Sequence, residues 1–148
     1  MSSIHVCTIG FTQTSARSFF SRLNDAGVRK VIDVRLHNTS QLSGFAKEDD
    51  LRFFLLRLGK IKYLHVPLLA PTDDMLKEYK KNKGSWGVYQ GRFLELMEQR
   101  RIHERIKPGN LDGVCLLCSE ATPDHCHRRL VCEFLNDKWG GVIDIKHI

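Results

Sequence analysis

The chain has 148 residues, 23 Lys and Arg against 17 Asp and Glu, a formal net charge of +6, five Cys and seven His. At roughly 100–200 residues per domain this length suits one domain over residues 1–148, large enough to bury a core without disulfide staples. No secretory leader pattern opens the sequence and no run approaches the ~18 apolar residues of a membrane span. The expectation is therefore a soluble cytoplasmic protein with no membrane partner, whose basic excess favours phosphate-bearing partners over basic ones.

In chain order, IHVCTI (4–9) reads as a strand, and TSARSFFSRLNDAG as a helix with Ala16, Phe19, Phe20 and Leu23 at helical spacing and Gly27 as its stop. KVIDV (30–34) is too apolar for a half-exposed strand and reads as one buried on both faces. A polar connection from Arg35 to about Ala46 leads to a second helix carrying Leu51, Phe54, Leu55 and Leu58, closed by Gly59; IKYLHV (61–66) is a third strand. LLAPTDD reads as a loop with a helix start, MLKEYKKNK as a short charged helix, and GSWG as a turn. A long helical segment then runs to about Ile106 with Tyr89, Phe93, Leu96 and Met97 on its apolar face. Pro108 and Gly109 end it. GVCLLC (113–118) is the most hydrophobic run and the expected central strand. Residues 124–137 make a last helix on Leu130, Val131, Phe134 and Leu135, and VIDIKHI a last strand. Strands alternating with helices predict an α/β fold, a three-layer domain with a mostly parallel sheet of about five strands and helices on both faces. Ligands of such sheets collect outside the carboxyl ends of the strands.

Those ends carry Gly10 and Thr12 after the first strand, Asp33 and Arg35 at the second, Cys118 and Glu120 after the fourth, and His147 at the last. His65 near the third strand's end is read as a packed histidine. In LLCSEATPDHCHRR a helix is expected to start with Thr122 or Asp124 as N-cap and Pro123 in the initial turn. Cys126 would then lie in the first turn beside Arg128, its thiol drawn below the ordinary value of about 8.5. Cys118 and Cys126 are thus candidate nucleophiles, and a disulfide between them stays open. Zinc on Cys115-x-x-Cys118 with Cys126 and His127 is disfavoured, because strand residues three apart face opposite sides, and no metal is expected; Cys7, Cys115 and Cys132 read as small core hydrophobes. Asp33 and Arg35, two apart, share a face and make either a structural ion pair or part of a catalytic edge.

Residues 77–107 hold nine Lys or Arg against four Glu, nearly the whole net charge. Tyr79, Trp86, Tyr89 and Phe93 interleave there with Lys80, Lys81, Lys83 and Arg92, a mixture suited to tracking a phosphate backbone and stacking a base, and equally to a solvated helix with i to i+4 ion pairs. No homeodomain, zinc-finger, RRM or P-loop signature occurs, and no motif specifies a cofactor.

TIG after the first strand, IDVR at the second, Tyr63 before a Leu-rich turn, LLCSE at the fourth, then P-x-x-CHR and a terminal His-Ile resemble the family catalogued as domain of unknown function 488. The resemblance spans nearly the whole chain. It implies an α/β domain and marks Thr8, Gly10, Asp33, Arg35, Ser40, Cys118, Glu120, Cys126, His127, Arg128 and His147. Phe11 and Thr12, the LHNT run and the LLAP turn depart from the family's usual residues.

Three functions compete. The first is an enzyme acting on a nucleotide or nucleic acid, in which Arg35 and Arg128 grip phosphate, His127, Gly10, Thr12 and Ser40 line the substrate, Cys118 or Cys126 supplies the thiol, and Glu120, Asp33 or His147 acts as acid or base. The second is a non-catalytic nucleic-acid-binding module using residues 77–107. The third is a thiol redox switch between Cys118 and Cys126.

Overall fold

A computed structural model describes residues 3–38, 44–120 and 122–148. Five strands, β1 (Ile4–Gly10), β2 (Lys30–Asp33), β3 (Lys62–His65), β4 (Val114–Cys118) and β5 (Ile143–His147), form one sheet in the order β3-β2-β4-β1-β5. Every neighbouring pair is parallel. The most hydrophobic run is the central strand, as its composition requires: all five residues of β4 are buried. Its side chains alternate, with Val114, Leu116 and Cys118 in one core and Cys115 and Leu117 in the other.

The two cores are the two helical layers. Helices α1 (Ala16–Asp25) and α2 (Glu48–Gly59) cover one face through Phe19, Phe20, Leu23, Leu51 and Leu55. On the other face α4 (Trp86–Arg100) and α6 (His127–Lys138) contribute Tyr89, Phe93, Met97, Leu130, Val131 and Phe134, with the short α3 (Asp73–Leu76) and α5 (Ile102–Arg105) beside them. Ser15, Thr72 and Ser85 each accept a backbone N–H at the start of α1, α3 and α4, so local capping agrees with the apolar periodicity. Among the described residues no helix is long and apolar enough to cross a membrane.

Three boundaries differ from the sequence reading. The long helix expected to run to Ile106 breaks at Arg101, whose φ of 53° ends α4 and starts α5. The charged segment after α3 continues as a π-helical turn, Lys77–Lys81. The last helix begins at His127 rather than near residue 124. Cys126 is its N-cap with extended backbone and no side-chain cap bond, and Thr122 and Asp124 lie outside the helix. Arg129 explains the delay: its guanidinium donates to the Pro123 carbonyl at 3.2 Å and the Asp124 carbonyl at 3.1 Å, folding that stretch back as a turn.

From β1 the chain moves by α1 and α2 to β2 and β3 on one face, then returns by α3 to α5 on the other to β4, and by α6 on that same face to β5. The segment leaving β4 therefore departs to the face opposite those leaving its neighbours β1 and β2. That divergence opens a crevice above the end of β4.

Candidate functional site

A cleft of about 590 Å³ occupies this crevice. Thr12 borders it from the segment after β1, Arg35 and His37 from that after β2, Cys118 from the end of β4, and Ser119 and Glu120 from the segment that follows. The second wall is Lys77, Tyr79, Lys80 and Lys81 of the π-helical turn, and Cys126 and His127 complete the floor.

Cys118, Cys126 and His127 are 5%, 2% and 6% exposed, and one ligand-type atom from each lies within 4.8 Å of the others. His127 Nε2 sits 2.6 Å from the Val34 carbonyl oxygen, which can only accept, so that nitrogen carries the proton and donates. Nδ1 is left with its lone pair, and Cys118 Sγ lies against the ring, 3.6 Å from Nδ1 and 3.8 Å from Nε2. The Phe93 ring, 5.4 Å away centre to centre, packs against the imidazole. Hydrogen bonding from the Cys126 side chain lowers the Cys118 thiol below its ordinary range. Burial opposes this, while the Ser119 backbone, the Arg128 charge and the Glu120 backbone add to it. Burial, followed by the bond to Cys118, pushes Cys126 well above its ordinary value. The thiol favoured as an anion is thus Cys118, and the sequence expectation of a lowered Cys126 is corrected: an N-cap thiol buried against a second sulfur is the donor of the pair. All five cysteines are free. Cys115 faces the α1 and α2 core, away from Cys118, as strand alternation requires. The triad of Cys118, Cys126 and His127 was not read as a ligand set from sequence, because only the turn before α6 brings the second sulfur beneath β4.

Asp33 and Arg35 form a closed network. The Arg35 guanidinium donates Nε to Asp33 Oδ1 at 2.9 Å and Nη2 to Oδ2 at 2.7 Å, and its backbone N–H also donates to Oδ1, at 3.0 Å. The Tyr63 hydroxyl donates to Oδ2 at 2.5 Å and accepts from Asn38 at 3.2 Å, while Arg35 Nη2 also reaches the Ala46 carbonyl. Asp33 is 0% exposed and does not border the cleft. Burial and the bond to Asp33 push the Tyr63 phenol far up. Arg35 is held above its ordinary value because Asp33 outweighs desolvation.

Arg128 is 1% exposed and also lies outside the cleft lining. Its Nη1 donates to the Glu120 carbonyl at 2.6 Å and lies 3.6 Å from Cys126 Sγ, while its buried Nε has no partner among the described residues. The Glu120 backbone crosses directly over Gly10: a Cβ there would lie 1.6 Å from the Glu120 carbonyl oxygen. Thr12 fastens the same segment, donating its N–H and its hydroxyl to the Ser119 carbonyl at 3.0 and 2.5 Å. Gly10, Thr12 and Arg128 therefore shape the loop that presents Glu120. His147 is apart from them, with Nδ1 2.5 Å from the Thr8 hydroxyl and outside the cleft lining. Burial, then the Arg128 charge, lower its imidazole pKa. Ser40 lies outside the described residues.

The basic segment divides. Lys80 Nζ lies 2.5 Å from Glu120 Oε1 across the cleft mouth. Burial would lower its ammonium, but the pairing with Glu120 holds it above the ordinary lysine value. Lys77 pairs with Asp73 at 2.9 Å. Arg92 pairs with Glu78, and neither Arg92, Lys83 nor Trp86 borders the cleft, although Tyr89 does. Trp86 stacks on His125 at 4.9 Å and on Tyr89 at 5.3 Å, and Tyr89 on Phe93 at 6.2 Å, so an aromatic column runs from His125 down to His127. His37, Lys77, Tyr79 and His125 are cleft residues that the sequence reading did not single out as site residues. Lys77 and Tyr79 carried a signal in the basic segment; His37 and His125 carried none.

A family model described as Domain of unknown function DUF488 matches residues 15–135. No curated protein and no solved structure matches the chain.

Proposed function

The chain belongs to the family described as Domain of unknown function DUF488, a membership that brings no reaction with it, and we propose that this member is an enzyme acting on a phosphate-bearing substrate, a nucleotide or nucleic acid, in the cleft above β4. One observation carries the reading: three lysines, Lys77, Lys80 and Lys81, share a single cleft with the Cys118, Cys126 and His127 floor and with Glu120. The cleft's size of about 590 Å³ suits a small-molecule or single-nucleotide site. A phosphate entering at the lysine wall competes for Lys80, which is now paired with Glu120. Binding would thereby release the Glu120 carboxylate to act as acid or base. The reacting atom would rest against the Cys118 and His127 floor, and Tyr79 on the lysine wall would lie against a base or sugar.

Calorimetric titration with pyrophosphate and a nucleoside diphosphate tests binding. Replacing Lys80 and Lys81 by Ala is expected to weaken affinity about 10-fold or more per lost charge-assisted bond, and Glu120→Gln, which removes the carboxylate that competes for Lys80, to tighten binding while stopping turnover. Unchanged affinity in the double lysine variant would refute the reading.

A second reading, a non-catalytic nucleic-acid module, draws on the Trp86 and His125 stack beside Lys80 and Lys81. It requires affinity for single strands that falls steeply with salt and depends on Trp86. The redox-switch reading requires a reversible bond between Cys118 and Cys126, seen as a two-proton mass change on reduction.

A further inference from the structure

The floor of the cleft has the composition and spacing of a metal centre. We propose that Cys118 Sγ, Cys126 Sγ and His127 Nδ1 bind one zinc ion, with its fourth position open to the cleft; the catalytic use of that open position rests on the function proposed above.

Tetrahedral zinc with bonds of about 2.3 Å to sulfur and 2.0–2.1 Å to nitrogen places its sulfur and nitrogen ligands about 3.5 Å apart and two sulfurs about 3.8 Å apart. Cys118 Sγ lies 3.6 Å from His127 Nδ1 and 3.8 Å from Nε2, and one ligand-type atom from each of the three residues falls within 4.8 Å of the others. The groups that surround a metal site are also in place. His127 Nε2 donates to the Val34 carbonyl, which leaves Nδ1 as the nitrogen with a free lone pair; Cys118 Sγ, nearly equidistant from the two ring nitrogens, swings toward that lone pair when the ion binds. Arg128 Nη1, 3.6 Å from Cys126 Sγ, offers an N–H to a thiolate there. Two thiolates and a neutral imidazole favour zinc over harder ions such as magnesium or calcium. The charges balance: the ion displaces the two thiol protons to solvent, and Zn²⁺ with two thiolates is neutral. All three residues border the cleft, so water or a substrate phosphate oxygen can take the fourth position, the arrangement of a catalytic rather than a closed structural zinc. A disulfide is the competing fate of the same sulfurs, and it would remove both ligands at once.

The test uses the full chain, purified under reducing conditions, loaded with zinc or cobalt(II) and dialysed. Elemental mass spectrometry should find one zinc per chain. The cobalt form should show thiolate-to-cobalt charge transfer with tetrahedral visible bands, and zinc should protect Cys118 and Cys126 from maleimide in the unmutated protein. Cys118→Ser and Cys126→Ser, folded by circular dichroism, should lose the ion, whereas Cys115→Ser and Cys132→Ser should keep it. A folded, reduced chain that takes up neither ion, a Cys115→Ser variant that loses it equally, or recovery of a Cys118 to Cys126 disulfide in place of metal would overturn the proposal. Pyrophosphate binding to the metal-free protein separates the two readings. Binding without any metal uptake sinks the zinc site alone, and metal uptake without phosphate binding sinks the substrate reading alone.

Discussion

Asp33→Asn removes the charge from a carboxylate that is fully buried and takes four hydrogen bonds, three of them from Arg35 and one from Tyr63. Asn keeps the shape and can still satisfy the Arg35 backbone and Nε through its carbonyl oxygen. Its amide nitrogen, however, faces the Arg35 Nη2 donor, and a guanidinium 3% exposed loses its counter-charge. Breaking one side of a buried pair costs about 3–5 kcal/mol, a large share of the roughly 5–15 kcal/mol that holds a domain folded. With a urea dependence of about 2 kcal/mol per molar, the unfolding midpoint should fall by about 1.5–2.5 M, followed by circular dichroism. Tyr63→Phe, which deletes one donor and leaves Asp33 its Arg35 bonds, should cost only about 1–2 kcal/mol. Tyr63→Phe should bind pyrophosphate as the parent does when measured below its transition, because neither Tyr63 nor Asp33 borders the cleft and Arg35, which does, keeps its pairing with Asp33. A stable Asp33→Asn variant, within about 0.5 kcal/mol of the parent, that has lost turnover would refute the structural reading and return Asp33 to the chemistry.

Gly10→Ala places a methyl 1.6 Å from the Glu120 carbonyl and 2.9 Å from Arg128 Nη1, against backbone that cannot rotate away; a loss of about 1–3 kcal/mol and weaker substrate binding are expected by thermal melting and titration. Phe93→Ala empties a fully buried position beneath His127 and should cost about 3–5 kcal/mol in urea unfolding while loosening the imidazole. Tyr63 and Tyr89 both hold their protons more tightly folded than unfolded, chiefly through burial. Their contribution is therefore complete below the unfolded value near 10 and declines above it, by up to about 1.4 kcal/mol per pH unit for each. Alkaline difference absorbance should show these two phenols titrating only as the chain unfolds, and ionisation in the native state near pH 10 would contradict it.

The sheet was legible in the sequence because apolar runs buried on both faces have few alternatives. GVCLLC could satisfy its side chains only with a helical layer on each side, and the same alternation correctly separated Cys115 from Cys118. Crowding of Gly10, Thr12, Arg35, Cys118 and Glu120 at one edge followed from the parallel order. What was not legible depended on contacts between residues far apart in the chain. Tyr63 and Asn38 close the Asp33 network from separate segments, so an ion pair and a catalytic carboxylate looked alike. The late start of α6 turns on Arg129 capturing two carbonyls, a bond that competes with the Asp and Thr capping signals upstream. That one-turn delay places Cys126 and His127 under Cys118.

The site's position follows from the order of the strands more than from any one motif. Because β4 sits between β1 and β2 while its exit runs to the opposite helical layer, the segment after it must pass over a neighbour. It passes over β1 at Gly10, where no side chain blocks it, and Thr12 and Arg128 hold it there. Glu120 is thereby presented toward the lysine wall, and the space vacated over β4 becomes the cleft. Residues that read as a list of catalytic candidates in sequence thus separate by mechanical role. Gly10, Thr12, Arg128, Asp33 and Arg35 build the rim and its supports, and Cys118, Cys126, His127, Glu120 and the lysines line the cleft that they frame.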